Sequence, residues 1–114
     1  MHELGICDAL LKMVADVAKQ EGTTEVASVT VEVGTLSGVV PRFLEDCWQA
    51  VIDGTEFEGT AMIVETVEGK AQCLDCGETF TADLNDLRCP KCSGTKLNPI
   101  SGRELTLKEI LLAE

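Results

Sequence analysis

Two Cys-x-x-Cys units, Cys73-Leu-Asp-Cys76 and Cys89-Pro-Lys-Cys92, stand twelve residues apart. Two residues between thiols let one tight turn present both sulfurs to a single ion. Two such turns joined by a short hairpin complete the tetrahedron that Zn(II) adopts, with Zn–S distances near ~2.3 Å. Gly77 follows the first pair; Pro90 stiffens the second, and Ser93-Gly94 follows it. These are the small, turn-forming residues that a close backbone approach requires. All four positions of such a site are protein sulfur, so no position stays open for water, and the chemistry implied is structural. Iron accepts the same four sulfurs. Two separate redox dithiols are the competing reading, but those sit at helix N-termini beside parallel sheets, and neither pair here has that setting.

His2 is the single histidine of the chain. The α-amine of Met1, the backbone nitrogen of His2 and the His2 imidazole can close adjacent chelate rings on one ion. With the peptide nitrogen deprotonated these are strong planar donors, a set that Ni(II) and Cu(II) favour. Glu3 can add a donor from its backbone or its side chain. The site requires that no residue precede Met1, since an extension would take the amine out of the ring. Cys7 is five residues from His2, but Cys7 and Cys47 each lie on an apolar helix stripe and read as small buried hydrophobes.

The elements that must position these groups follow from periodicity. Residues 4–21 carry Cys7, Leu10, Leu11, Val14, Val17 and Ala18 at three-and-four spacing, opposite Asp8, Lys12, Asp16, Lys19 and Gln20, which predicts an amphipathic helix stopped at Gly22. Residues 26–33 alternate, with Val29, Val31 and Val33 on one side and Ser28, Thr30 and Glu32 on the other, as in a half-buried strand. Pro41 fits the first turn of a second helix running to about Ile52, with Leu44, Cys47, Trp48, Val51 and Ile52 on one face. Residues 60–68 predict a second strand. Residues 103–112 read as a last strand returning to the first sheet, although Ile110-Leu111-Leu112 also suits a helix. Between 69 and 99 the apolar pattern gives way to Gly, Lys, Asp, Asn, Pro and four cysteines, a segment unable to bury a core of its own. The expected fold is α+β: a two-layer domain of two helices on a small mixed sheet, residues 1–68 plus 100–114, with a zinc-ribbon-like module, 69–99, inserted before the last strand.

Twenty acids against nine bases give a net charge of −11, a field that repels nucleic acid and attracts divalent metals. A zinc-ribbon interaction or nucleic-acid module is the alternative reading; it finds no cluster of Lys and Arg and no set of stacking aromatics. Trp48 reads as core, and Glu78, Asp83 and Asp86 as a solvated face. No nucleophile–base pair or phosphate-cradling glycine loop points to an enzyme. The N-terminus has no secretory pattern and no stretch is long enough to cross a bilayer, so a soluble cytoplasmic protein is expected, with cysteines as thiols or metal ligands.

Met1-His2-Glu3, the helix after it, Val29-Thr-Val-Glu-Val33-Gly34, and the paired Cys-x-x-Cys units followed by a short final strand resemble the HypA/HybF family of hydrogenase nickel incorporation proteins. The resemblance spans the chain. It implies Ni(II) at Met1, His2 and Glu3, with His2 the ligand and Glu3 a contributor, and structural Zn(II) at Cys73, Cys76, Cys89 and Cys92. It also implies partnership with the nickel-handling GTPase HypB and delivery to the precursor large subunit of [NiFe]-hydrogenase; some members also serve urease. Certain members carry an acid where this chain has Val40, and certain members a histidine in the zinc module, where this chain has none.

Overall fold

The computed structural model describes residues 2–113. In chain order it contains α1 (Glu3–Glu21), β1 (Val26–Gly34), α2 (Pro41–Ile52), β2 (Ala61–Val67), β3 (Lys70–Cys73), β4 (Thr79–Thr81), β5 (Leu97–Ser101) and β6 (Leu105–Leu112). Two helices and two small sheets make an α+β fold, as the periodicity predicts. One sheet has the order β2-β1-β6 and the other β4-β3-β5. The chain divides into two compact units. The first is Met1–Glu32, Val39–Glu65 and Thr106–Glu114; the second is Val33–Gly38 and Thr66–Leu105.

In the first unit, α1 buries Cys7, Leu10, Val14 and Ala18, the stripe that a helical period places on one face. The helix closes at Gly22, where the Thr23 N–H reaches Ala18 O at 3.0 Å and the Gly22 N–H reaches Lys19 O at 3.2 Å. Pro41 opens α2, whose Leu44, Trp48 and Ile52 are buried at four-residue spacing. Trp48 is fully buried, as expected, and its indole N–H donates to Thr60 O at 2.9 Å. The Thr60 hydroxyl in turn donates to Val26 O at 2.8 Å, which ties the start of β2 to the start of β1.

The first sheet is mixed. Thr35 N–H donates to Val67 O at the far ends of β1 and β2, so those strands run parallel. Ala113 N–H to Glu25 O and Gly34 N–H to Glu104 O set β6 antiparallel to β1, which settles residues 105–112 as strand rather than helix.

One expectation needs correction. Val29, Val31 and Val33 are buried as predicted, but Ser28 and Thr30 on the opposite side are buried as well, at 8% and 6% exposure. The strand is not half-buried because it is central. Lys108 of β6 meets Glu65 of β2 at 2.9 Å, a pair that must reach across β1, and its flanking neighbours shield the polar face.

In the second unit, β3 pairs antiparallel with β4 (Ala71 opposite Phe80) and with β5 (Ala71 opposite Pro99). The loop after β1 belongs here: Leu36 N–H donates to Gly102 O at 2.8 Å, and Gly69 N–H to the Thr35 hydroxyl at 2.8 Å. Between residues 66 and 105 the buried apolar side chains are Ala71, Cys73, Ala82 and Cys89. Four small side chains are a meagre core, and two of them are thiols. A segment so built depends on something other than hydrophobic burial for its order.

Candidate metal centre

The two Cys-x-x-Cys turns share one hydrogen-bond scheme. In the first, Cys73 N–H donates to Glu78 O at 2.8 Å and Gly77 N–H to Cys73 O at 2.9 Å. In the second, Cys89 N–H donates to Gly94 O at 2.9 Å and Ser93 N–H to Cys89 O at 2.8 Å. The fifth residue of each turn has positive φ: Gly77 at 81° and Ser93 at 63°. That conformation bends the chain back over its own cysteine. Glycine adopts it without strain, and serine at a cost. A Cβ on Gly94 would lie 2.8 Å from Asp75 Oδ2 and 3.2 Å from Cys92 Sγ, so the backbone passes close to the sulfur cluster and a larger residue would have to displace the Asp75 side chain.

These turns bring all four sulfurs within 4.8 Å of one another. Cys73 Sγ lies 3.5 Å from Cys92 Sγ, and Cys76 Sγ 3.6 Å from Cys89 Sγ. Four sulfurs around Zn(II) at ~2.3 Å would stand about 3.8 Å apart, so the donor set fits a tetrathiolate metal centre in number, type and spacing. Cys73 and Cys89 are buried, while Cys76 and Cys92 are exposed. Each turn therefore contributes one inner and one outer sulfur.

The thiols titrate unequally. Burial works to raise Cys89, but the N–H groups of Cys92 and Lys91 and the thiols of Cys76 and Cys92 bring it down to about 7. Cys92 is helped toward the thiolate by the Gly94 N–H, yet the neighbouring Cys73 thiol, burial and the other two thiols push it up to about 12. Cys76, lowered by the Glu78 N–H, is raised on balance by burial and by Cys89 and Cys73. The pattern in Cys76, Cys89 and Cys92 is that of close thiols competing for negative charge, which a divalent cation resolves in favour of thiolate.

Of the N-terminal candidates, Met1 lies outside the described residues. His2 is exposed at the head of α1, and its carbonyl accepts the Ile6 N–H at 2.9 Å. Glu3 is buried at 4% exposure, and its Oε2 accepts the Val40 N–H at 3.2 Å. Cys7 is fully buried and directs its thiol to Leu44 O at 3.2 Å, the core role expected of it. Burial, together with the nearby Cys47, pushes its pKa up to about 11. Cys47 is half-buried rather than a core residue.

Three further residues matter at these places and carry no role in the sequence reading. Lys91 reaches Glu78 at 3.9 Å, a contact between the two turns. Asp75 packs against Gly94. Val40, noted only for lacking an acid, supplies the backbone N–H that Glu3 accepts. Lys91 and Asp75 hold the same place in their two turns, so superposing one Cys-x-x-Cys unit on the other would have drawn notice to both. The third bond spans 37 residues and has no local signal.

No helix among the described residues is long and apolar enough to cross a membrane. Residues 1–112 match the family model described as hydrogenase/urease nickel incorporation, metallochaperone, hypA. The chain is 37% identical over 112 residues to a hydrogenase maturation factor HypA from Streptomyces avermitilis, covering 96% of this chain and 86% of that one. It is 36% identical over 110 residues to a HypA from Geobacter metallireducens, covering 96% and 97%. The solution structure of the nickel metallochaperone HypA from Helicobacter pylori shares the fold at a TM-score of 0.66 and 18% identity, covering 98% of this chain and 97% of that one. With its four-sulfur centre and its match over nearly the whole length, this chain belongs to the HypA family of hydrogenase and urease nickel-incorporation metallochaperones.

Proposed function

We propose that this chain carries Ni(II) at Met1-His2-Glu3 and keeps Zn(II) on Cys73, Cys76, Cys89 and Cys92. In this reading residues 1–68 plus 100–114 form the nickel-binding part and 69–99 the zinc-binding part. It acts in the cytoplasm with the GTPase HypB and hands nickel to the large-subunit precursor of [NiFe]-hydrogenase, without catalysing a reaction itself. The observation that carries the reading is a contrast of sites. The four sulfurs lie within 4.8 Å of one another, enough donors to fill a tetrahedral set, whereas His2 stands exposed at the N-cap of α1.

Each site suits its task on physical grounds. Zinc would supply the cross-link that a segment with four small buried apolar side chains lacks. Cargo must be taken up without free metal escaping and later released. An exposed imidazole beside a terminal amine meets both needs, because a chain end opens at little cost and protons compete for its nitrogens. A net charge of −11 favours the approach of a divalent cation.

Native mass spectrometry of the untagged protein with Zn(II) and Ni(II) tests the assignment, repeated with one residue added ahead of Met1. One zinc is expected in both forms, and nickel only in the unextended one. Equal nickel retention by the extended chain would sink the N-terminal site. His2→Ala is expected to lose nickel and keep zinc.

A further inference from the structure

Helix α2 begins without the usual means of satisfying its first N–H groups. Its N-cap is Val40, which has no side-chain oxygen, and no side-chain cap bond or first-turn acid is present. In a capping box the acid or amide three residues past the N-cap reaches back to accept the N-cap residue's own N–H. Here that place is held by Phe43, which is 53% exposed and cannot accept. The bond is nonetheless made. Glu3 Oε2, from the first turn of α1, accepts the Val40 N–H at 3.2 Å.

The contact has a second stitch one turn along. Cys7, four residues after Glu3, donates to Leu44 O, four residues after Val40. The two helices thus meet start to start and in register. The Glu3 carboxylate lies where both helices present the positive ends of their dipoles, which makes it a favoured place for negative charge. Being 4% exposed, the side chain is committed to this place rather than free in water.

We infer that Glu3 is a positioning residue: its carboxylate caps α2 in trans and thereby fixes the backbone of residue 3, and with it the adjacent His2, for nickel. This rests on the N-terminal nickel site proposed above. The side chain then serves nickel capture through Val40 and not as a donor to the metal. The neutral amide of Gln can accept the same N–H, so the role does not require a carboxylate charge.

The test compares Glu3→Gln, Glu3→Ala, the double variant Glu3→Ala with Phe43→Gln, and His2→Ala. Each is measured by Ni(II) titration calorimetry, Ni(II) ligand-field absorption and thermal midpoint. The Phe43→Gln change supplies in cis the reach-back half of a capping box, an acceptor for the Val40 N–H, but leaves residue 3 untied. Glu3→Gln should keep nickel affinity within about threefold and leave the absorption bands unchanged. Glu3→Ala should lower the midpoint and weaken nickel by about tenfold, the size of one hydrogen bond. The double variant should regain the midpoint and not the affinity.

Three results would overturn the inference: Glu3→Gln as weak as Glu3→Ala with shifted bands, which makes the carboxylate a metal donor; full nickel affinity in Glu3→Ala; or recovery of affinity in the double variant. Each of these leaves His2→Ala deficient. If His2→Ala binds nickel as the wild type does, the N-terminal site itself fails, and the positioning role falls with it.

Discussion

The burial of Cys7 has a consequence that stability against pH can read. The thiol is fully buried and donates its hydrogen to Leu44 O, and desolvation together with Cys47 raises its pKa from 9.0 to about 11. In the unfolded chain the thiol ionises near its ordinary value, so between the two values the folded state holds the extra proton. The stabilisation is fully present below the unfolded pKa and is lost as pH rises through the folded one. A two-unit shift corresponds to about 2.7 kcal/mol in all, of which about 1.4 kcal/mol should be gone by pH 10. A serine hydroxyl in place of the thiol would keep a donor to Leu44 O and would not titrate. Urea unfolding of wild type and Cys7→Ser from pH 8 to 11 should therefore show curves that are parallel below pH 9 and diverge above it, with wild type losing more. Zinc-site thiols titrate in both proteins and cancel in the difference. Parallel curves through pH 11 would refute the picture of a protonated buried thiol and would reopen Cys7 as a thiolate donor to a metal near His2.

Other expectations follow from single contacts. Ser93→Gly relieves the only non-glycine residue with positive φ among the described residues and should add about 0.5 kcal/mol in thermal unfolding without changing metal stoichiometry. Trp48→Phe removes the donor to Thr60 O in a fully buried setting and should cost about 2 kcal/mol by chemical denaturation. Cys73→Ser should abolish stoichiometric zinc and, by hydrogen exchange, strip protection from residues 66–105. Zinc sites of this kind contribute on the order of 10 kcal/mol in small domains, far more than four small buried side chains supply.

What could be read ahead of the structure was what leaves a repeating mark. The buried stripes of α1 and α2 are periodic, and the cysteine spacing is a direct image of the turns that present the sulfurs. The back face of β1 is not legible in the sequence because alternation records the polarity of side chains and not what covers them; Ser28 and Thr30 are buried in a central strand between β2 and β6. Strands β3 and β4 alternate, as Lys70-Ala71-Gln72-Cys73 and Thr79-Phe80-Thr81, but over runs too short to stand out, and β5 does not alternate. Runs of three to five residues, such as Thr79–Thr81, take their shape from pairing and from the cysteine turns rather than from their own composition. Glu3 reads locally as an ordinary acid in a first helical turn, and its partner 37 residues away could not be guessed.

Under the proposed assignment, the fold contributes differently to the two ions. An amine, an amide nitrogen and an imidazole within two residues can surround a cation in an unfolded chain as well as in a folded one, so nickel held there gives the fold little preference. The sulfurs are spread over residues 73 to 92 and converge only when both turns and their strands have formed, so metal bound to them is folding free energy. A carrier gains from that asymmetry: surrendering its cargo does not cost it its structure, while the ion it depends on stays closed in by four sulfurs. The bond from Glu3 to Val40 is one place where the folded chain holds the N-terminal segment. A hydrogen bond of 3.2 Å is strong enough to help orient a neighbour and weak enough to yield when a partner draws the terminus away.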